Sequence, residues 1–142
     1  MEGKESDRAD FFMLERYQHV ADLWRHMREF SRASERAARR HGLTPQRYWL
    51  LLMIKGAADG RQVASVGQLT NDLQLAQSSA TELIDRAEIA NLVRRNAAEH
   101  DRRRMEVRLT AEGERRLRAV VDDLAVTRRE FADLVAQLKG VI

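Results

Sequence analysis

The most constraining feature of this chain is a continuous stretch, residues 65–110, in which two short helical patterns precede a strongly basic hairpin pattern. The first helical pattern is VGQLTNDL, and Ser65 before it is a favourable N-cap with Gln68 three residues on, as in a capping box. Its apolar residues recur at helical spacing; they are Val66, Leu69 and Leu73. Gln74 and Leu75 follow as a short turn, so this part of the stretch predicts a helix and a turn.

The second helical pattern, AQSSATELIDRAEIANL, divides into an apolar face and a polar end. The face that we expect to be buried contains Leu83, Ile84, Ala87 and Leu92. The residues that we expect to be exposed near the N-terminus are Gln77, Ser78, Ser79, Thr81 and Glu82. A recognition helix contacts base edges from this end, so DNA contacts are predicted here and at Arg86. The alternative is an ordinary three-helix packing unit, because any short helical pair shows this apolar spacing.

The hairpin pattern, LVRRNAAEHDRRRMEVRLT, combines strand alternation with a high density of arginine. On its return arm, apolar Met105, Val107 and Leu109 alternate with Glu106 and Arg108. The arginines around its tip are Arg94, Arg95, Arg102, Arg103 and Arg104, opposed only by Glu99 and Asp101. Clustered positive charge on a hairpin is typical of phosphate contact, although a solvated loop is the alternative.

The order of these patterns predicts a winged helix-turn-helix, mainly α with a small β-hairpin wing. The 142 residues suffice for one domain, with residues 43–110 as the DNA-binding lobe. Residues 1–10 are polar and expected to fray. Long helical patterns follow at residues 11–41 and 111–139, and we expect both to be dimerisation helices. The apolar residues of the second have a seven-residue period, interrupted at Arg128; they are Leu117, Val121, Leu124, Phe131, Val135 and Leu138.

Between the first long helix and the basic stretch, a short apolar helix is predicted. Gly42 ends the long helix, Thr44 is an N-cap, and Pro45 stands at the first helical position. The helix that follows, QRYWLLLMIKGA, is apolar nearly all round and is therefore expected to be central. Residues 57–61 predict a loop, and residues 62–64 a short strand that pairs with the wing.

Three runs of the sequence resemble the multiple antibiotic resistance regulator (MarR) family: LTPQRYWLLLMI, VGQLTNDLQLAQSSATELIDRAEIANLV and DRRRMEVRLTAEG. The resemblance implies a homodimeric bacterial transcription factor, usually a repressor, that releases a palindromic operator when a small, often aromatic, ligand binds. It also implies that Asp101 orients the wing by holding its arginine, while Arg103 enters the minor groove of DNA. The chain departs from the family pattern at four positions, namely Gln74, Ala76, Gln77 and Glu82, where Gly, Ser, Arg and Arg are common.

A ligand-binding set is suggested by aromatic and basic residues in the first two helices. These candidates are Trp24, Arg25, Met27, Arg47, Tyr48 and Trp49, and their alternative is plain core and dimer contact. One helix face carries four acidic or histidine residues that could hold a metal, namely Glu15, His19, Asp22 and His26. Such a face is more often exposed to solvent or engaged in salt bridges between subunits.

Composition excludes several other classes of protein. The chain has no cysteine, which excludes disulfides and thiolate sites within it, and no apolar run approaches the roughly 20 residues of a membrane span. We therefore expect a cytoplasmic protein, and no cofactor is predicted. Neither Ser78 nor Ser79 has a histidine base nearby in sequence, and no glycine loop is suited to phosphate, so an enzyme is not expected. The alternative function is a helical module whose winged helix docks protein, which Gln77 and Glu82 favour.

Overall fold

The computed structural model describes residues 2–142, with side chains from residue 3, as six α-helices and three β-strands. In chain order these elements are α1 (Glu2–Arg40), α2 (Pro45–Lys55), β1 (Ala64–Ser65), α3 (Val66–Leu73), α4 (Gln77–Ile89), β2 (Val93–Ala98), β3 (Asp101–Leu109), α5 (Ala111–Asp123) and α6 (Ala125–Leu138). The predicted fold class, mainly α with a small β-hairpin wing, is confirmed.

These elements form two compact units. The helical unit contains the residues up to Ser34 together with Leu124–Ile142, and the winged-helix unit is Glu35–Asp123. The winged-helix unit thus extends beyond the predicted lobe, residues 43–110, at both ends: it includes the end of α1 and all of α5.

Helix α1 is longer than the sequence pattern predicted. It begins at Glu2, so the prediction that residues 1–10 fray is wrong for residues 2–10. The segment has no apolar stripe, but its Glu, Lys and Arg residues are good helix formers, and they extend a helix that its apolar part already nucleates. The predicted stop is confirmed: Gly42 has a left-handed φ of +75°, and the Leu43 N–H donates to the Ala38 carbonyl at 2.9 Å.

The core of the winged-helix unit is built around α2. Thr44 caps this helix by accepting the Arg47 N–H on its Oγ1 at 3.2 Å, and Pro45 occupies the first turn, as predicted. Three side chains of α2 are fully buried, namely Leu50, Leu51 and Ile54. The prediction that this helix is central is confirmed.

The helix-turn-helix is formed by α3 and α4. Both hydrogen bonds of the predicted capping box are present between Ser65 and Gln68. The turn contains Gln74 in the left-handed region, with φ +53°, although glycine is the residue usually favoured there.

The wing is a three-stranded antiparallel sheet in the order β1-β3-β2. A short strand pairs with the wing as predicted, with Ala64 opposite Val107, but it is Ala64–Ser65 and not residues 62–64. On the other side of β3, Val93 lies opposite Leu109 at the base of the hairpin.

The C-terminal region differs from the single helix predicted over residues 111–139. Thr110 caps α5 by accepting the Gly113 N–H at 3.0 Å, but the helix ends at Asp123 and α6 begins at Ala125. No glycine or proline stands at the break. Tertiary contacts coincide with it: Asp123 accepts hydrogen bonds from the end of α1, and Leu124 is only 2% exposed. We attribute the break to these contacts.

The predicted seven-residue period of the C-terminal region lies largely inside the chain. Leu117, Leu124 and Leu138 are buried, and the Phe131 ring stacks on Phe30 at a centroid distance of 4.8 Å. Leu117 therefore packs inside the winged-helix unit, and Leu124, Phe131 and Leu138 pack inside the helical unit. Val135 is the member of the series that is exposed. Within residues 2–142, no helix has the length and apolarity that crossing a lipid bilayer requires.

Candidate nucleic-acid interface

The N-terminal end of α4 presents a polar, exposed surface. Gln77, Ser78 and Ser79 are exposed and Thr81 is half-buried, while the opposite face holds the buried residues Ala80, Leu83, Ile84 and Ala87. Ala76, the N-cap, makes no side-chain hydrogen bond to the first turn. The N–H groups of this turn have no intrahelical acceptor, so they are available to an anion such as a phosphate.

Glu82 and Arg86, on the same helix, form an ion pair. The Arg86 Nη2 lies 2.6 Å from the Glu82 Oε1. Both side chains are about two-thirds exposed, so the pair contributes little stability. It does offset the negative charge of Glu82 on the surface that the sequence pattern assigns to DNA.

The wing carries exposed arginines, three of them near its tip and Arg94 near its base. Arg94, Arg102, Arg103 and Arg104 are exposed, and no carboxylate within residues 3–142 forms an ion pair with any of them. The strand register shifts between Ala97 and Ala98, so that Ala98 lies opposite Asp101. The predicted alternation is kept at the base of β3, where Val107 is buried, but not near the tip, where Met105 is 42% exposed.

Asp101 contacts the backbone of the wing. Its Oδ1 accepts the N–H of Arg103 at 3.0 Å, which fixes the turn into β3. The resemblance implied that Asp101 holds an arginine of the wing. In the structure that contact is to the main chain, and the Arg103 side chain is left exposed.

Arg95 differs from the other wing arginines because it is engaged inside the winged-helix unit. Its guanidinium bonds the Asp85 carboxylate and lies 3.3 Å from Glu88 Oε1, while its backbone N–H donates to Glu88 Oε2 at 3.0 Å. Desolvation lowers the pKa of Arg95, but the hydrogen bonds to Asp85 and Glu88 outweigh it and hold the pKa above its ordinary value. Arg95, which we predicted to contact DNA, instead links the base of the wing to α4.

Asp85 and Glu88 are therefore site residues that the sequence analysis missed. Both are carboxylates, three residues apart on α4, and both lie shortly before the basic hairpin. That spacing was a usable signal, because it puts two acceptors on the helix face from which the wing emerges.

The six predicted ligand-binding residues are divided between the two units. Trp24, Arg25 and Met27 belong to the helical unit, and Arg47, Tyr48 and Trp49 to the winged-helix unit. In the helical unit, Trp24 is 58% exposed and Arg25 is paired with Asp22 at 2.6 Å.

In the winged-helix unit, Tyr48 is buried in the core, whereas Trp49 lines an open depression of about 650 Å³. The other residues that line it include Glu35, Arg39, Gly42, Thr44 and Gln46. Trp49 is the one member of the predicted set that lines this depression.

The row of acidic and histidine side chains on α1 does not form a metal site. Within residues 3–142, no group of three or more His, Asp or Glu side chains is arranged to hold a metal ion. Asp22 is paired with Arg25, and the His26 Nδ1 donates to the Asp22 carbonyl at 2.6 Å.

Comparisons with known proteins agree with this architecture. The sequence model described as the MarR family matches residues 41–104. The HTH-type transcriptional regulator YsmB of Bacillus subtilis (strain 168) is 30% identical over 118 residues, which are 80% of this chain and 75% of YsmB.

Solved structures agree as well. AbsC, a MarR family transcriptional regulator from Streptomyces coelicolor, is 29% identical with a TM-score of 0.66, over 81% of this chain and 77% of AbsC. A mutant MarR from E. coli, complexed with operator DNA, is 20% identical with a TM-score of 0.67, over 84% of this chain and 87% of that one. The second likeness shows the fold alone. The chain belongs to the MarR family of winged helix-turn-helix transcriptional regulators, which are DNA-binding proteins and not enzymes.

Proposed function

We propose that this chain is a ligand-responsive repressor that binds a palindromic operator as a homodimer. The observation that carries the proposal is the combination, within one compact unit, of an exposed polar end of α4 and a wing tip with unpaired arginines. A recognition helix reads the major groove and a wing contacts the neighbouring minor groove or backbone. Two copies related by a two-fold axis read two half-sites about one helical turn apart.

Individual residues of the proposed interface have different tasks. The Gln77 amide is suited to bidentate hydrogen bonding with adenine, and the hydroxyls of Ser78, Ser79 and Thr81 to bases or phosphates. Arg103 enters the minor groove, where narrow A·T tracts concentrate negative potential, and Arg94, Arg102 and Arg104 contact phosphates. Arg86 reaches phosphate only by exchanging its contact with Glu82.

The experiment compares Arg103→Ala with a matched control, Arg118→Ala. Arg118 lies on α5, and its side chain is 85% exposed, with only a 3.9 Å approach to Asp122. An operator selected from random DNA is titrated by fluorescence anisotropy at several salt concentrations.

We expect Arg103→Ala to lower the affinity and to reduce the salt slope by about 1, because one phosphate or groove contact is lost. Arg118→Ala should match the wild type. Equal DNA affinity and equal salt slope for the wild type and both variants would exclude Arg103 and the wing from the DNA interface. A wild type whose DNA affinity does not fall steeply with salt would favour the alternative function, in which the winged helix docks protein.

The proposed ligand is an aromatic acid held at the depression beside Trp49. The Trp49 ring gives an apolar contact, and the exposed Arg39 guanidinium, which has no ion-pair partner within residues 3–142, is suited to a carboxylate. A ligand that binds the DNA-free state preferentially by about 1.4 kcal/mol lowers DNA affinity tenfold. A modest site is therefore sufficient.

The ligand proposal is tested with a panel of benzoates and phenols. Tryptophan fluorescence and operator release are titrated on the wild type, on Arg39→Ala and on the control Arg36→Ala, which changes an exposed arginine of the same helix. A compound that releases DNA from the wild type and from Arg36→Ala but not from Arg39→Ala supports the site. A panel with no such compound removes the aromatic acid from the proposal.

A further inference from the structure

A cavity of about 390 Å³ lies between the end of α1 and α5. The residues that line it are Arg40, His41, Gly42, Arg115, Arg116 and Ala119. All of them belong to the winged-helix unit. Four of the six carry a guanidinium or an imidazole group, and no acidic or aromatic side chain among residues 3–142 lines the cavity. The wall of this cavity is therefore basic.

Two arginines of the wall are held by Glu112, which does not itself line the cavity. The Glu112 carboxylate accepts hydrogen bonds from Arg115 Nε and Nη2 and, at 2.7 Å, from Arg116 Nε. The bonds from Arg115, followed by the bond from Arg116, lower the pKa of Glu112, so this carboxylate is ionised at neutral pH. Arg116 Nη1 also donates to the Gly42 carbonyl at 2.9 Å. A Cβ at Gly42 would lie 2.8 Å from that nitrogen, so the glycine makes room for Arg116.

The third arginine and the histidine are held by Asp123, which also lies outside the wall of the cavity. Asp123 Oδ2 accepts hydrogen bonds from Arg40 Nε at 3.1 Å and Nη2 at 3.0 Å, and it lies 2.9 Å from His41 Nε2. The three guanidinium groups of the wall thus meet two carboxylates, which leaves one positive charge in excess before any protonation of His41.

Each guanidinium group keeps one terminal nitrogen that no carboxylate or carbonyl occupies. Within residues 3–142, no hydrogen bond is made by Arg40 Nη1, Arg115 Nη1 or Arg116 Nη2. The planar fork of arginine matches the oxygens of a phosphate group, and it binds them through charge-assisted hydrogen bonds. The volume of the cavity lies in the range of small-molecule sites, about 300–1,000 Å³.

We propose that this cavity binds the phosphate group of a small phosphorylated molecule. A phosphate monoester has a charge of about −1.5 to −2 at neutral pH and three acceptor oxygens, so it matches three guanidinium groups better than a single carboxylate does. The site is separate from the depression beside Trp49. Among residues 3–142, Gly42 is the one residue that lines both, and only the depression has an aromatic ring. Phosphate binding here does not depend on the proposed repressor function.

Calorimetric titration of the full chain, without DNA, tests the site. The probes are inorganic phosphate, pyrophosphate and glycerol phosphate, each compared with sodium chloride at the same ionic strength. Arg115→Gln removes a guanidinium group on α5, Arg40→Gln removes the one on α1, and Arg115→Lys keeps the charge without the fork. The control is Arg118→Gln, an exposed arginine of α5 outside the cavity. Circular dichroism and urea unfolding verify that each variant is folded.

We expect at least one probe to bind the wild type with one equivalent per chain. Arg115→Gln and Arg40→Gln should each raise its dissociation constant about tenfold, because each removes a charge-assisted hydrogen bond. Arg115→Lys should fall between Arg115→Gln and the wild type, because lysine cannot form two parallel hydrogen bonds. Arg118→Gln should stay within about twofold of the wild type, because an exposed charge away from the site contributes little.

Three results would overturn the site. The first is a wild type that binds none of the three probes. The second is equal weakening by Arg118→Gln and Arg115→Gln, which would show that only the overall positive charge attracts the probe. The third is displacement of the bound probe by benzoate, which would show that the ligand is any small acid. If Arg40→Gln does not fold, Arg115→Gln decides alone, because the Arg115 side chain is 72% exposed.

Discussion

At the scale of single residues, Arg95 and Arg103 show how one residue type takes two roles within one hairpin. Five arginines of the hairpin share the same charge and a similar position, and four of them are exposed and have no ion pair within residues 3–142. Arg95 could not be separated from the group by pattern, because its role depends on the reach of its side chain from β2 to Asp85 and Glu88 on α4. The sequence therefore reveals the density of positive charge. The interatomic distances are needed to tell which arginines bind carboxylates inside the fold and which are free to contact DNA.

Replacing the bridging arginine, Arg95→Met, should lower the free energy of unfolding. The substitution removes the side-chain donor of Asp85 and leaves Glu88 with only the backbone N–H of residue 95. Hydrogen bonds to charged groups contribute about 1.5–3 kcal/mol each. We expect a loss of about that size in urea unfolding and a lower DNA affinity with an unchanged salt slope. Arg103→Ala is the matched comparison, with normal unfolding and a smaller slope. An Arg95→Met protein of wild-type stability with a reduced slope would return Arg95 to the DNA contacts.

At the scale of helices and strands, locally determined boundaries were predictable and boundaries set by packing were not. Thr44 and Ser65 cap their helices through atoms within a few residues, so α2 and α3 begin where the sequence indicated. The break at Leu124 depends on contacts from distant parts of the chain, and the α5–α6 division was missed. Gly113 is a similar case: it ends the run DRRRMEVRLTAEG, but the reason for a glycine there is a neighbour far away in sequence.

That neighbour is the backbone of Leu92. A Cβ on Gly113 would overlap the Leu92 carbonyl oxygen, which also accepts the Thr110 N–H at 3.0 Å. Gly113→Ala should therefore destabilise the chain by about 1–3 kcal/mol or more, because the backbone has to shift.

The control is Gly67→Ala, since a Cβ at Gly67 meets only Ser65 Oγ, at 3.9 Å. Gly67 lies in α3 on an exposed face, so alanine should stabilise by about 0.5–1 kcal/mol. The unfolding temperatures of the two variants should shift in opposite directions. Equal shifts would mean that the backbone moves away from the Leu92 carbonyl without a loss of stability.

At the scale of the whole molecule, the structural elements could be predicted from the sequence, whereas the distances between them could not. The fold class, the wing and the exposed end of α4 could be predicted because each follows from periodicity or local composition. The ligand-binding set could not be predicted, because the positions of two residues in consecutive helical patterns do not determine whether they share a site. Trp24 and Trp49 belong to different units. For the same reason, the seven-residue period of the C-terminal region could not be assigned to the chain's own core or to a partner.

A long-range contact within the winged-helix unit should make stability depend on pH. His41 Nε2 lies 2.9 Å from Asp123 Oδ2, and Arg40 donates to the same atom from Nε and Nη2. The hydrogen bond from His41, followed by those from Arg40, lowers the pKa of Asp123. A lowered carboxyl pKa adds stability above the ordinary pKa of about 3.9, and this is lost as the pH falls through the lowered value.

The measurement is the free energy of unfolding at pH 7 and in the acid range below pH 4. Wild type should lose more stability on acidification than Asp123→Asn, because asparagine cannot gain the ionised contact at neutral pH. Asp133→Asn is the control: Asp133 is exposed on α6 and has no ion pair within residues 3–142. Identical acid dependence for wild type and Asp123→Asn would show that this contact does not contribute to folding.

The division of α4 into a buried side and an exposed N-terminal end has a consequence for how such regulators diverge. Ala80, Ile84 and Ala87 hold the helix in the core, while Gln77, Ser78 and Ser79 contribute almost nothing to it. Substitutions in the second set should change the free energy of unfolding by no more than about 0.5 kcal/mol. If this end of α4 contacts DNA as proposed, single substitutions can therefore change the operator while every intermediate still folds.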